Sequence, residues 1–285
     1  MPVPSRRRTL LLTAVTLVAF AGNSLLCRAA LAEELIDPYS FTALRLGSGA
    51  LVLYLLSRKA VPAARATAWD KRAGLALLVY ALCFSAAYVT LDAGTGALLL
   101  FGMVQVTMIG AGLAKGERLG AVQALGFLAA LAGVVWLVLP GVSAPDPFGA
   151  LLMCAAGIGW GAYSLAGRGA QSPTIANARS FLLAAPAAAL LLLPLSSELT
   201  LQPEGALLAC IAGAGTSGIG YVIWYAALRG LSATSGAIVQ LAVPLIAALG
   251  GITLLGESLS TRFVTASALT LGGIAVAILG KPAKP

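Results

Sequence analysis

Apolar runs long enough to cross a lipid bilayer dominate this chain and decide what it can fold into. A spanning helix needs about 20 mostly apolar residues, and such runs follow one another along 285 residues with short polar connections. Apolar residues make up 59% of the chain, charged residues make up 10%, and the mean hydropathy is +0.95. Because the runs are continuous rather than alternating segments of roughly ten residues, the sequence predicts an all-α integral membrane protein.

Proline, glycine and charged residues divide the apolar sequence into ten predicted transmembrane helices. These helices are Thr9–Leu31, Pro38–Ser57, Arg72–Leu91, Thr95–Ala114, Leu119–Leu139, Pro147–Gly167, Pro173–Leu195, Gly205–Leu228, Ala233–Leu255 and Arg262–Gly280. With a cytoplasmic amino terminus, the inner segments hold 14 of the 18 basic residues and the outer segments hold eight of the ten acids. This follows the positive-inside rule. We therefore expect a multi-pass protein of a bacterial inner membrane, with both termini in the cytoplasm.

The two halves of the chain resemble each other when one is shifted by 140 residues. Gly116-Glu117-Arg118-Leu119 then aligns with Gly256-Glu257-Ser258-Leu259, and Arg28 aligns with Arg168. Because each half has an odd number of helices, the second half enters the membrane from the opposite face. The sequence predicts two inverted five-helix repeats, residues 1–140 and 141–285, which is a geometry that permits alternating access to a central site.

Aromatic and amide side chains on the central helices are the candidate substrate-binding residues. Several of them recur at helical spacing on one face of the third, fourth or sixth helix. An amide group inside a bilayer needs a hydrogen-bonding partner, so each amide either bridges two helices or contacts a substrate. The candidates are Asn23, Tyr80, Phe84, Phe101, Gln105, Trp160, Tyr163 and Gln240.

Two arginines, Arg45 and Arg179, fall inside predicted helices. A central arginine costs at least about 2.5–3.5 kcal/mol on insertion scales. Each lies within about two turns of a helix end, so snorkelling of the side chain towards water is the favoured interpretation. Binding of a carboxylate or phosphate is the alternative. No histidine is present and no Asp or Glu lies deep in a predicted helix, which favours transport without proton coupling.

A Gly-Glu pair after the fourth helix of each half, Pro244 and the twofold pattern make the chain resemble the drug/metabolite transporter superfamily, specifically its ten-helix EamA-type members. Within the superfamily it looks most like YddG-type amino-acid exporters. That resemblance implies a central pocket lined by Tyr80, Phe84, Phe101, Met103 and Trp160. It also implies gating or structural roles for Gly116, Glu117, Gly256, Glu257 and Pro244. Val104 stands where the family often has a second proline, so a bend in the fourth helix is not expected.

The resulting hypothesis is an exporter of small organic metabolites, with aromatic and other neutral amino acids as the expected substrates and broad specificity. Export of drugs, or exchange of sugar phosphates or nucleotide sugars, is the alternative within the superfamily. A membrane scaffold or channel is the alternative outside transport. An enzyme is not expected, because the chain has no histidine, no H-E-x-x-H and no G-x-S-x-G.

The expected partners are the small-molecule substrate and the lipid bilayer. The net charge of +8 does not predict nucleic-acid binding, because the basic residues lie between apolar runs. The four cysteines show no C-x-x-C spacing, so neither a metal nor a cofactor is expected. The sequence leaves the oligomeric state open and is compatible with a monomer.

Overall fold

The regular elements of the chain are helices throughout the residues that a computed structural model describes, which are 5–57, 68–167, 172–195, 199–231 and 233–280. In the first half, the helices are α1 (Arg6–Ala32), α2 (Pro38–Ser57), α3 (Ala68–Ala87), α4 (Ala93–Ala114) and α5 (Ala121–Val138). The second half begins with α6 (Pro147–Gly167), α7 (Pro173–Leu190) and a 3₁₀ turn, Leu193–Leu195. It continues with α8 (Pro203–Cys210), a π-helical segment (Ile211–Ile219), α9 (Gly220–Leu228), α10 (Ala233–Val239), α11 (Ala242–Leu255) and α12 (Thr261–Leu279).

Eight helical stretches in the described part of the chain are long and apolar enough to cross a membrane. The prediction of an all-helical, multi-pass protein agrees with this. The stretches without that property are α3, which begins with Asp70, Lys71 and Arg72, and α7, whose hydropathy is lowered by Asn177 and Arg179. Several basic residues used to predict the orientation, including Arg58, Lys59 and Arg168, lie outside the described residues.

Two of the predicted helices are interrupted. Residues 203–228, here called span 8, widen into a π-helix at Ile211–Ile219, a segment that contains three glycines. Residues 233–255, here called span 9, break after Val239. Pro244 explains that break, because its ring clashes with the carbonyl four residues earlier and it has no N–H to donate. In the first half, where Val104 takes the place of a proline, α4 is continuous.

Glycines let pairs of helices approach until their backbones touch. A Cβ atom on Gly273 of α12 would lie 2.5 Å from the backbone nitrogen of Ala130 and 2.6 Å from the carbonyl oxygen of Gly126, both on α5. A Cβ atom on Gly159 of α6 would lie 3.0 Å from the backbone nitrogen of Tyr80 on α3. Since lipid tails are as apolar as the side chains, such close packing is a main source of helix association in a bilayer.

The two Gly-Glu pairs form turns in which the glycine has a positive φ angle. Gly116 has a φ angle of +90° and Gly256 a φ angle of +68°, a region that is strained for residues with a Cβ atom. The following N–H groups return to the preceding helix, from Glu117 to the Gly112 carbonyl at 3.1 Å and from Glu257 to the Gly251 carbonyl at 3.0 Å. These glycines therefore end α4 and α11 in a left-handed cap.

Adjacent glycines in α12 provide a matched test of the α5–α12 contact. We expect Gly273→Ala to destabilise the folded protein by about 1–3 kcal/mol, because the added methyl group overlaps the α5 backbone. Gly272→Ala serves as the control, since an added Cβ there meets nothing within 4 Å. Thermal unfolding in detergent measures both variants. Equal unfolding temperatures would contradict the packing described here.

Candidate substrate site

A small cavity lies at the centre of the bundle, between α1, α3, α4, α6 and span 8. Its volume is about 20 Å³, and its lining residues are Phe20, Asn23, Ser24, Tyr80, Phe84, Leu100, Phe101, Trp160, Thr216 and Tyr221. This volume accommodates about one water molecule, whereas pockets for small-molecule ligands occupy roughly 300–1,000 Å³. The cavity is therefore collapsed in this conformation, and a substrate enters it only after side chains or helices move.

Aromatic rings fill the space around the cavity. The ring of Trp160 lies 4.9 Å from Tyr80, 5.4 Å from Tyr163 and 5.2 Å from Tyr221, measured between centroids. Phe20 meets the Tyr221 ring edge-on at 5.9 Å. These separations fall in the range favoured for aromatic pairs. Trp160 thus joins the aromatic residues of α3, α6 and span 8 into one cluster.

A hydrogen-bond network converges on the hydroxyl group of Tyr80. Arg45 donates to this oxygen from Nη2 at 2.8 Å, and Asn23 donates to it from Nδ2 at 3.3 Å. The Asn23 side-chain oxygen in turn accepts from the Thr216 hydroxyl at 3.3 Å. Arg45 also donates from Nε to the Ser217 hydroxyl at 3.4 Å. Residues of α1, α2, α3 and the π-helical segment are linked in this way.

Arg45 is the buried charge of this network. Its side chain is 1% exposed, and its guanidinium group lies 5.1 Å from the ring centroid of Tyr80 and 4.7 Å from that of Phe84. The interpretation that Arg45 snorkels is wrong. Gly213 of the π-helical segment packs directly on the backbone of Arg45, which places that helix face in the protein interior rather than in lipid.

Arg179, the other predicted intramembrane arginine, lies away from the central cavity. Its Nη1 atom is 3.8 Å from a carboxylate oxygen of Asp70, near the first turn of α3. The Arg179 side chain is partly exposed. This ion pair joins the beginning of α7 to the beginning of α3. It gives Arg179 a countercharge, which Arg45 lacks among the residues that the structure describes.

The structure brings together five of the nine predicted substrate-binding residues at the cavity: Asn23, Tyr80, Phe84, Phe101 and Trp160. Tyr163 stacks on Trp160 but donates its hydroxyl to Asn177 instead of lining the cavity. Gln240 donates to the Gly236 carbonyl of its own helix at 3.1 Å, so it holds the end of α10. Met103 packs against the core and Gln105 is buried, and neither is a lining residue.

Sequence reasoning missed the part of the site that span 8 contributes. The lining residues Thr216 and Tyr221 and the network residue Ser217 were not among the candidates, and Arg45 was considered only as the less favoured alternative. A signal was present in the glycine-rich run around Thr216 and Ser217, because small residues inside an apolar helix mark a close approach of another backbone.

A second polar network closes the predicted outer end of the bundle. Both carboxylate oxygens of Glu257 accept from the Ala93 N–H at 3.0 Å, at the amino terminus of α4, where a negative charge is favoured. Arg28 donates to Glu257 from Nε at 3.3 Å and to the carbonyls of Tyr88 and Val89 at 3.1 and 2.9 Å. These bonds connect α1, the turn after α3, α4 and the turn after α11.

Burial raises the pKa of Glu257 above that of an ordinary glutamate, and the Ala93 N–H and Arg28 oppose this shift by stabilising the carboxylate. A cavity of about 300 Å³ lies beside Glu257 at the same end and is lined by polar residues that include Asp92, Ser258 and Ser260. This larger cavity is separate from the aromatic cluster. We therefore regard it as a vestibule rather than the substrate site.

The chain is similar to proteins from widely separated organisms. Residues 147–279 match the EamA-like transporter family. An uncharacterised protein of Pseudomonas aeruginosa is 55% identical and is aligned over 98% of both chains. An uncharacterised transporter of Archaeoglobus fulgidus is 28% identical over 94% of this chain and 96% of its own. A solved crystal structure of a protein superposes with a TM-score of 0.64 and 26% identity, over 93% of this chain and 97% of that one.

The helical bundle and these similarities define a multi-pass membrane protein of a transporter class. Residues 147–279 thus form a domain of the EamA-like transporter family, which is part of the drug/metabolite transporter superfamily.

The Glu257 network can be tested with a native reporter. Cys27 is fully buried one residue before Arg28, so it reacts slowly with maleimide while the network holds. In a variant whose other three cysteines are serines, we expect Glu257→Gln to speed the labelling of Cys27 at least about threefold, because the amide cannot replace the carboxylate at Arg28 and Ala93. The control is Asp92→Asn, whose carboxylate is more exposed and 3.8 Å from Arg28. Equal labelling rates in both variants would contradict this role of Glu257.

Proposed function

We propose that this EamA-family transporter exports amino acids, with aromatic and other neutral ones preferred, by alternating access around the central cavity. The observation that carries the proposal is the joining of the Trp160 ring cluster with the Tyr80 hydrogen-bond network. Rings provide a surface for an apolar side chain, while hydroxyl, amide and guanidinium groups provide partners for an ammonium and a carboxylate. The predicted absence of enzymatic activity forms part of the proposal.

The proposed architecture is a set of ten spans arranged as two inverted repeats, residues 1–140 and 141–285, in a bacterial inner membrane with cytoplasmic termini. Helix pairing in the described residues supports this arrangement. In the proposed repeat, α3 corresponds to span 8 and α6 corresponds to α1. The contact between α3 and α6 should therefore have a counterpart between span 8 and α1, and both contacts are extensive. Likewise, α5 corresponds to α12 and α2 corresponds to α7. Each of these helices packs against its own counterpart, α5 against α12 and α2 against α7.

Sugar-phosphate exchange is a second candidate, because Arg45 offers a buried positive charge to an anionic cargo. A phosphate group carries close to two negative charges at neutral pH and is usually bound by several donors or cations. Among the described residues, Arg45 alone brings a positive charge to the central network. A single charge and a ring-lined cavity fit an amino acid better, and the same charge disfavours cationic drugs.

We also propose that transport is not coupled to protons. In the described part of the chain, the acidic residues lie at or near helix ends, with Glu257 in the turn after α11. A proton-coupled carrier needs a titratable group on its pathway. Glu257 is the acid closest to meeting that need, because it has a raised pKa and lies beside the vestibule.

A pH-gradient experiment tests the absence of coupling. In proteoliposomes with an imposed pH gradient of either sign, we expect labelled phenylalanine to reach equal concentrations inside and outside. Glu257→Gln should behave as the wild type in this assay. Accumulation that follows the gradient in the wild type and is lost in Glu257→Gln would show that Glu257 couples transport to protons.

The substrate class is tested by counterflow of labelled threonine, methionine and phenylalanine. We expect uptake of all three, and an at least tenfold loss of phenylalanine uptake in Trp160→Ala, because the ring that joins the aromatic cluster is removed. The matched control is Trp136→Ala, since Trp136 lies on α5, is 42% exposed and bonds to Thr265. If no amino acid enters, or if both variants lose uptake equally, the proposal fails.

A further inference from the structure

Arg45 is a permanent positive charge that has no countercharge within the described structure. Arg28 and Arg179 form ion pairs with acidic residues, whereas Arg45 forms none with the described residues. Arginine remains protonated in proteins, so burial cannot neutralise it by loss of a proton. A buried charge is retained when it is paired or when it serves a function. The missing countercharge is therefore the feature to explain.

One nitrogen of the Arg45 guanidinium group makes no hydrogen bond. Nε donates to Ser217 and Nη2 donates to Tyr80, whereas Nη1 is buried and has no hydrogen-bond partner. The surrounding groups are mainly ring faces and hydroxyls rather than acids. A guanidinium group binds a carboxylate through paired N–H donors. The Arg45 head group is held in position by its two existing bonds and lacks an acceptor at its third nitrogen.

The Arg45 guanidinium group contacts two residues that line the collapsed cavity. Both Tyr80 and Phe84 are lining residues, and the guanidinium group lies against their rings. Asn23, which also lines the cavity, shares the Tyr80 hydroxyl with Arg45. A carboxylate that reaches Arg45 from the cavity would therefore have to displace the Tyr80 side chain. That displacement would release Nη2, so that two nitrogens of the guanidinium become available together.

We propose that Arg45 is the binding site for the carboxylate of the cargo, so that the protein selects molecules that carry a carboxylate over their neutral amides. This inference rests on the proposed function for the identity of the cargo, but not for the carboxylate itself. The aromatic cluster contacts the apolar part of the cargo, and the Arg45 guanidinium group binds its carboxylate. Tyr80 occupies one guanidinium nitrogen while the site is empty and gives it up when cargo binds.

Ligand-induced stabilisation tests carboxylate binding without requiring transport. Purified protein is heated with phenylalanine, with phenylalaninamide, which replaces the carboxylate by a neutral amide, and with phenyllactate, which keeps the carboxylate but has no ammonium. We expect phenylalanine and phenyllactate to raise the unfolding temperature and phenylalaninamide to do so only at an at least tenfold higher concentration. The same three compounds are then used as competitors in phenylalanine counterflow.

Variants separate binding from folding. We expect Arg45→Met to unfold at the same or a higher temperature than the wild type without ligand, because a buried unpaired charge has been removed. We also expect this variant to lose the preference for carboxylates in both assays. Arg45→Lys should keep part of the preference. The matched control is Arg179→Met, which removes an arginine paired with Asp70 away from the cavity and should keep the full preference.

The outcomes distinguish this inference from the proposed function. If amino acids are transported and Arg45→Met discriminates carboxylate from amide as the wild type does, the inference is wrong and the proposed function stands. If no amino acid is transported but carboxylates stabilise the wild type and not Arg45→Met, the inference stands and the cargo is a different carboxylate. If neither phenylalanine nor phenyllactate stabilises the protein or competes, the inference is wrong.

Discussion

Close backbone contact between helices is the constraint on which the rest of this structure depends. Inside a bilayer, hydrophobic burial gives little preference for one helix pairing over another, so the approach of the backbones decides which helices associate. Gly273 sets α12 against α5, and Gly159 sets α6 against α3. Gly213 does the same between span 8 and α2, at the carbonyl of Arg45. The contact that assembles the bundle is therefore also the contact that turns Arg45 inward.

Side chains of the central site bind one another across the cavity, and these contacts explain its small volume. Trp160 fills the space with contacts to neighbouring rings, and Tyr80 accepts hydrogen bonds from both Arg45 and Asn23. A cargo has to replace these interactions with equivalent ones, offering an apolar surface to the rings and an acceptor to the guanidinium. A molecule that offers only one of the two leaves a buried polar group or a void, each of which carries a free-energy cost. In the proposed function, selectivity would therefore follow from the interactions that hold the cavity closed.

The sequence predicted helix positions well and helix faces poorly. The ends at Pro38, Ser57, Pro147 and Gly167 agree with the structure because proline and charge interrupt hydropathy at a definite residue. The break after Val239 was not predicted, although Pro244 supplies its cause. The interpretation that Arg45 snorkels towards water is wrong because distance along a helix does not reveal which neighbouring helix covers a residue. That neighbour contains Gly213, which is remote in sequence, so the site could be predicted only in the part carried by aromatic spacing.

The two Gly-Glu turns show how one sequence element serves two different environments. Gly116 and Gly256 both have a positive φ angle, and the glutamate that follows each returns its N–H to the preceding helix. Glu257 then binds Arg28 and the α4 amino terminus, whereas Glu117 is exposed. A positive φ angle at the glycine of each turn therefore does not determine the partners of the glutamate that follows it. In the proposed inverted repeats, these two turns lie at opposite ends of the bundle. The contacts of Glu257 with Arg28 and Ala93 hold one end together, and the described residues show no corresponding contacts of Glu117 at the other end.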